Sequence, residues 1–127
     1  MIVRHHQDAK PEVVESPVFT GTVSREAITS PGIEHLRLGL VRFEPGARTV
    51  WHTHTFEQGL VIVEGKGIVA TEEAEHVVVP GDVVVVPTNE KHWHGAGEKT
   101  GMAHISIGSP GETITLEPVG ELKTKDI

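Results

Sequence analysis

Along most of the chain, apolar residues recur at short range and are broken by Gly or Pro every eight to twelve positions. The run IEHLRLGLVRFEPG (33–46) sets Ile33, His35, Arg37, Gly39, Val41 and Phe43 against Leu36, Leu38, Leu40 and Arg42. Both faces carry apolar groups, which predicts a strand lying between two layers. LVIVEGKGIVATE (60–72) predicts a hairpin turning at Glu64, Gly65, Lys66 and Gly67. EHVVVPGDVVVVPTNEKHWHGA (75–96) predicts two further strands around Pro80 and Gly81, and GMAHISIG (101–108) and ETITLEP (112–118) complete the set. No helical period is sustained beyond a turn or two. Eight to ten short strands with regular turn signals predict an all-β sandwich or barrel over residues 17–118. Residues 1–16 read as a polar arm or edge segment, and 119–127 as a polar C-terminal tail.

A chain of 127 residues suits one domain with a real core. Its formal charge is -7 and no basic run interrupts it, so neither nucleic acid nor an anionic membrane is an expected partner. Cysteine is absent, which excludes disulfides, a thiolate nucleophile and thiolate metal ligands. The opening MIVRHHQDAK lacks the apolar core of a signal peptide, and no apolar stretch approaches the length of a membrane span. The expected compartment is the cytoplasm, and the expected partner a small molecule.

Histidine changes the picture. Four of the nine fall in two H-x-H pairs, His52/His54 and His92/His94. In a strand, residues i and i+2 share a face with Cα atoms roughly 6.5–7 Å apart, so His52 and His54 can reach one metal ion together. A pair of solvent-facing strand histidines is the alternative. The context favours the metal: Gly46 lies six residues before, Gln58 four after, and the second pair follows a Gly-x5-Pro interval.

These stretches resemble the two motifs of the cupin family. The first, G-x5-H-x-H-x3,4-E-x6-G, is met by Gly46, His52, His54, Gln58 and Gly65; the second, G-x5-P-x-G-x2-H-x3-N, by Gly81, Pro87, Asn89, His92 and Ala96. The resemblance implies a single-domain cupin, a jelly-roll β-barrel, and the ligand set His52, His54, Gln58 and His92 for one divalent metal ion. Asn89 tolerates the left-handed turn that the motif's glycine serves. Gln58, in the glutamate slot, offers an amide oxygen without charge. Four neutral ligands leave the ion its full +2, a strong Lewis acid with one or two open positions. Imidazole with oxygen suits Mn, Fe, Ni, Co or Zn. Glu57, one residue short of the motif spacing, is the competing ligand, and a bulge would be needed to turn it inward.

The run FEPGARTVWHTH…Q…EKHWHGA…MAHISI is similar to small bacterial manganese cupins that act as hydroxynitrile lyases, which also carry three His and one Gln. The resemblance implies Mn as the first choice of metal, His104 as the base, and a substrate pocket containing Gly39, Val41 and Thr49, with His94 nearby. A pocket glutamine of those enzymes falls at Gly108, removing one polar contact. The implied reaction is cleavage of a cyanohydrin to aldehyde and cyanide, and its reverse. A metal-dependent dioxygenase and a non-catalytic metal-containing binder are the competing functions. Relatives of this type pair as homodimers or homotetramers, and the same is expected here. His5, His6, His35 and His76 read as surface residues. Phe19, Phe43 and Phe56 read as core or interface, and Trp51 and Trp93, of opposite parity to the ligands, should pack outside the barrel layer.

Overall fold

The computed structural model describes residues 1–29 and 31–127. Among the described residues there are thirteen strands and no α-helix. In chain order they are β1 (Glu12–Val14), β2 (Phe19–Thr20), β3 (Val23–Ala27), β4 (Arg37–Phe43), β5 (Arg48–Thr49), β6 (His52–His54) and β7 (Gln58–Gly65). Then follow β8 (Gly67–Ala70), β9 (Glu75–Val78), β10 (Val83–Val86), β11 (Trp93–Ala96), β12 (Met102–Gly108) and β13 (Thr113–Thr115). The excess over the expected eight to ten comes from pieces of two or three residues, too short for alternation to register. β1 lies in the N-terminal arm and forms the edge of a sheet by pairing with β3.

The strands form a six-stranded sheet (β1-β3-β4-β12-β7-β10), a five-stranded sheet (β2-β5-β11-β8-β9) and a two-stranded ribbon (β13-β6). Every pairing is antiparallel. The hairpin expected at Glu64–Gly67 does not form: β7 pairs with β10 and β12, whereas β8 pairs with β9 and β11. The chain changes sheets there, through Gly65 at φ +72. A Cβ at Gly65 would run into the carbonyl of Gly101, which accepts a hydrogen bond from the Lys66 N–H at 3.1 Å. Glycine is required by both conformation and space. Such corners close two sheets into a β-barrel of jelly-roll type.

Val23, Val41, Phe43, Ala47, Ile62, Val69, Val78, Ala96 and Met102 form a buried apolar cluster. Buried polar side chains, His94 and His104 among them, adjoin it at Phe43. β12 runs between β4 and β7, placing His104 opposite Val41 on one side and Ile62 on the other, with a register shift between Ala103 and His104.

A second apolar cluster lies apart from the first. Trp93 is buried with Ile68, Ala70 and Leu122, and Trp51, Val119 and Ile127 pack against it. The segment 119–127, polar in composition, therefore covers an indole. Burying ~150–250 Å² of aromatic surface at ~25 cal/mol per Å² offsets the ordering of only a few residues at about 1–2 kcal/mol each. The remainder comes from Leu122 and from backbone N–H groups of Lys123 and Thr124, which donate to the Glu75 carboxylate at 3.0 and 2.6 Å.

Candidate metal centre and active site

β6 brings His52 and His54 to the barrel interior on one face, as alternation requires. His92 is fixed beside them by a reciprocal backbone bridge: His52 N–H donates to His92 O at 3.0 Å, and His92 N–H to His52 O at 3.1 Å. Ring-nitrogen atoms of the three lie within 4.8 Å of one another, and all three side chains are buried. Gln58, the first residue of β7, is buried and reaches them, with its Oε1 3.2 Å from His54 Nε2 and 3.3 Å from His92 Nε2. Glu57 is exposed and does not reach the group.

Hydrogen bonds on the far side of each ring determine which nitrogen is free. His52 Nδ1–H donates to Val50 O and His92 Nδ1–H to Glu90 O, both at 2.8 Å. A carbonyl only accepts, so each proton sits on Nδ1 and each Nε2 offers a lone pair. His54 Nδ1 meets the Thr113 hydroxyl at 2.9 Å. Gln58 Nε2 donates to Ser106 Oγ at 3.0 Å, which turns Oε1 toward the imidazoles. The lone pairs of His92 Nε2 and Gln58 Oε1 thus face each other across 3.3 Å.

Burial opposes a proton between them. Desolvation, followed by repulsion from His92, lowers His52 to about 3 and His54 to about 4, and desolvation lowers His92 as well. A cation is what makes such a donor set favourable. The three imidazoles and the amide oxygen fit a divalent ion, and their outward hydrogen bonds are of the kind that orient metal-binding histidines.

Ser106 is expected to matter through Gln58. Ser106→Ala removes the acceptor that orients the amide, and loss of a partner behind a ligand typically costs 10–100-fold in metal affinity. A metal titration of this variant should show weaker binding with an unchanged one-to-one end point. Wild-type affinity would mean that the amide is oriented by something else.

Beyond the three rings lies a second histidine pair. His94 is stacked near His92 (centroids 5.7 Å, 14° between planes) and 5.4 Å from the His52 ring. His104 lies behind it, its Nε2 3.0 Å from His94 Nδ1, its ring against Phe43. His94 Nε2 and His104 Nδ1 have no hydrogen-bond partner among the described residues. Desolvation lowers His104 to about 4, and desolvation with repulsion from His104 holds His94 well below the ordinary imidazole range. The implied base is thus a weaker one than a free imidazole, because the complete burial of His104 removes the water that would stabilise its cation.

Lowered histidine pKa values make folding pH-dependent in a definite sense. An unfolded chain titrates its histidines near 6.5, whereas His54 and His104 take up protons only near 4 when folded. Between these values the unfolded state binds more protons, so stability rises with pH. The metal-free protein should melt at progressively higher temperature from about pH 4 to about pH 6.5. A midpoint that is flat or falls across that window in thermal scans would contradict the burial of these rings.

His52, His54, Gln58, His94 and His104 open on one cavity of about 840 Å³. Gly39, Val41 and Thr49 line it too, and Thr49 Oγ1 accepts from the His94 backbone N–H at 3.1 Å. His92 is not among the lining residues and sits behind the other ligands. Phe56 stacks on His54 at 4.7 Å and 25°. It also takes the space beside Gly108, where a Cβ would lie 2.8 Å from the Phe56 ring. Phe56 is thus a pocket wall, not a core or interface residue alone. His5, His35 and His76 are exposed, and His6 bonds Glu64 on the surface at 2.8 Å.

Residues 39–108 match the cupin domain family. The chain is a cupin. An (R)-mandelonitrile lyase of Granulicella tundricola is 45% identical to this cupin over 91 residues, 70% of each chain. A cupin-like protein from Thermotoga maritima is similar in structure, with TM-score 0.83 and 33% identity over 90% of this chain and 91% of that one. A polyketide cyclase from Streptomyces resistomycificus shares the fold at TM-score 0.80 and 19% identity, covering 91% and 85% of the two chains. Among the described residues of this cupin, no helix is long and apolar enough to cross a membrane.

The sequence reading gives no site role to Ser106 or Thr113, and takes Phe56 for core or interface. Ser106 shares strand parity with His104, a signal that could have found it. Phe56 stacks on His54 from two residues away, a neighbour the local sequence offers, whereas Thr113 meets His54 across the ribbon, a contact that no local spacing encodes.

Proposed function

We propose that this cupin is a metal-dependent lyase of hydroxynitrile-lyase type, cleaving a cyanohydrin to an aldehyde and cyanide and running the reverse addition. The observation that carries the reading is the meeting, in one cavity, of a neutral three-histidine and glutamine group with a hydrogen-bonded histidine pair. Likeness to a mandelonitrile lyase supports the same chemistry. His52, His54, Gln58 and His92 are the proposed ligands, Mn the first choice of ion, with Fe, Ni, Co or Zn as alternatives. A divalent ion held by uncharged ligands would act as a Lewis acid on a substrate hydroxyl.

The chain's own residues handle the proton. With His94 Nδ1–H donating to His104 Nε2, the unpartnered His94 Nε2 is free to accept the hydroxyl proton. The Nδ1 proton passes to His104, so the charge comes to rest one ring away from the reacting oxygen. The C–CN bond then breaks, its electron pair leaves on cyanide, and the aldehyde carbonyl forms. Return of the proton along the same two rings gives hydrogen cyanide. Burial makes both imidazoles weak bases, which favours this return. Phe56 and Phe19 supply apolar wall for an aromatic substituent.

A homodimer or homotetramer belongs to the same proposal, supported by Val83 and Val85, 65% and 71% exposed on the edge strand β10. The cytoplasm is the proposed compartment for a chain without cysteine. The test of the reaction is direct: the manganese-loaded protein, given mandelonitrile, should release benzaldehyde and cyanide together, faster than buffer alone. Release no faster than buffer would remove the lyase reading.

A further inference from the structure

The cavity mouth carries positive charge that the proposed cleavage of a neutral cyanohydrin does not use. Arg25 on β3 is paired in register with Val41, which is itself opposite His104. Val41 and His104 face the cavity, so Arg25 lies on the same inner face, two strands from His104. At ~4.8 Å per strand spacing the two backbones are about 10 Å apart. The Arg25 side chain leans over Gly39, where a Cβ would stand 3.4 Å from Nε and 3.5 Å from a terminal guanidinium nitrogen. Glycine at 39 thus leaves the guanidinium free to lie along the wall.

Among the described residues, Arg25 has no hydrogen-bond or ion-pair partner, although the chain carries 18 acidic residues and Arg4 and Arg42 are each paired with one. Arg37, also at the mouth, donates to the carbonyls of Ile33 and Leu36, which leave its charge uncancelled. Glu15 is the one acidic side chain on the lining, against these two arginines. The deeper walls contribute neutral imidazoles, an amide and hydroxyls.

We infer that Arg25 is an anchor for a carboxylate, so that the ligand of this pocket is an anion whose reactive hydroxyl and carboxylate are separated by about one aromatic ring. The placement of the hydroxyl end at the histidines rests on the function proposed above; the anionic end rests on Arg25 alone. A planar guanidinium offers a carboxylate two parallel N–H donors, and a rim with net positive charge draws anions toward an otherwise acidic protein.

The test is binding, not turnover, so that its result is separate from that of cyanide release. The probes are 4-(hydroxymethyl)benzoate and its uncharged counterpart 4-(hydroxymethyl)benzamide, titrated calorimetrically into manganese-loaded protein. Wild type should bind the benzoate about tenfold or more tightly than the benzamide, as a charge-assisted pair requires. Arg25→Gln should bring the two within about twofold, with metal content and melting temperature unchanged, and Arg25→Lys should restore part of the preference. Equal binding of both probes by wild type, no saturable binding of either, or a preference that survives Arg25→Gln would overturn the inference. A protein that cleaves mandelonitrile yet shows no such preference keeps the lyase function and loses the anionic ligand.

Discussion

His52→Ala and His92→Ala should each yield a folded barrel that purifies without stoichiometric metal. The two residues hold each other through a backbone bridge that alanine preserves, since it uses only N–H and C=O groups. The apolar cluster around Phe43, Ile62 and Met102 includes neither residue and is kept in both variants. Removing one imidazole leaves two nitrogens and the Gln58 oxygen, so the loss of affinity should exceed the ~10–100-fold that follows loss of a group merely bonded to a ligand. Each ring is buried and its Nδ1–H is bonded to a backbone carbonyl, so truncation should lower the stability of the metal-free protein while leaving the barrel folded. Elemental analysis with circular dichroism checks both halves. Normal metal content in either variant would show that the ion, if bound, lies elsewhere.

His104→Ala should keep its metal and lose most of its cleavage. His104 touches none of the three rings closest to the ion site; it touches His94 and Phe43. Its proposed part is to take the charge that His94 passes back, and general-base assistance of this kind is worth ~10²–10⁴-fold. The loss should appear mainly in kcat, because His104 acts on the proton through His94. His104→Gln supplies an amide able to hydrogen-bond His94 but not to accept a proton at neutral pH. It should be as slow as His104→Ala, which separates proton transfer from mere positioning. Unchanged rates in both variants would leave His94 acting alone.

The motif spacing carried the metal group further than it carried the barrel. His52 and His54 were legible because the strand period is local, and His92 and Gln58 because two motifs in register bring distant residues to one place. Gln58 opens β7 facing inward, while Glu57 precedes the strand and stays in water. The change of sheets at Gly65 was not legible. A glycine between two apolar runs reads alike for a hairpin and for a corner, and only the approach of Gly101 from a distant part of the chain decides. The covering of Trp93 by residues 119–127 was hidden for a related reason: composition marks those residues polar, while one leucine in place and two backbone N–H groups on Glu75 are enough to dock them. Burial of the His94–His104 pair, and with it the low basicity of His104, depends on Phe43 and the opposite sheet, not on neighbours in sequence.

The most direct measurement is cyanide release from mandelonitrile as metal-free protein is titrated with Mn²⁺. Release should rise in proportion to metal, break at one ion per chain and stay flat beyond, with the His52→Ala variant silent throughout. Equal release from metal-free and metal-loaded protein would contradict the central claim that the buried histidines and Gln58 hold the ion on which this chemistry depends.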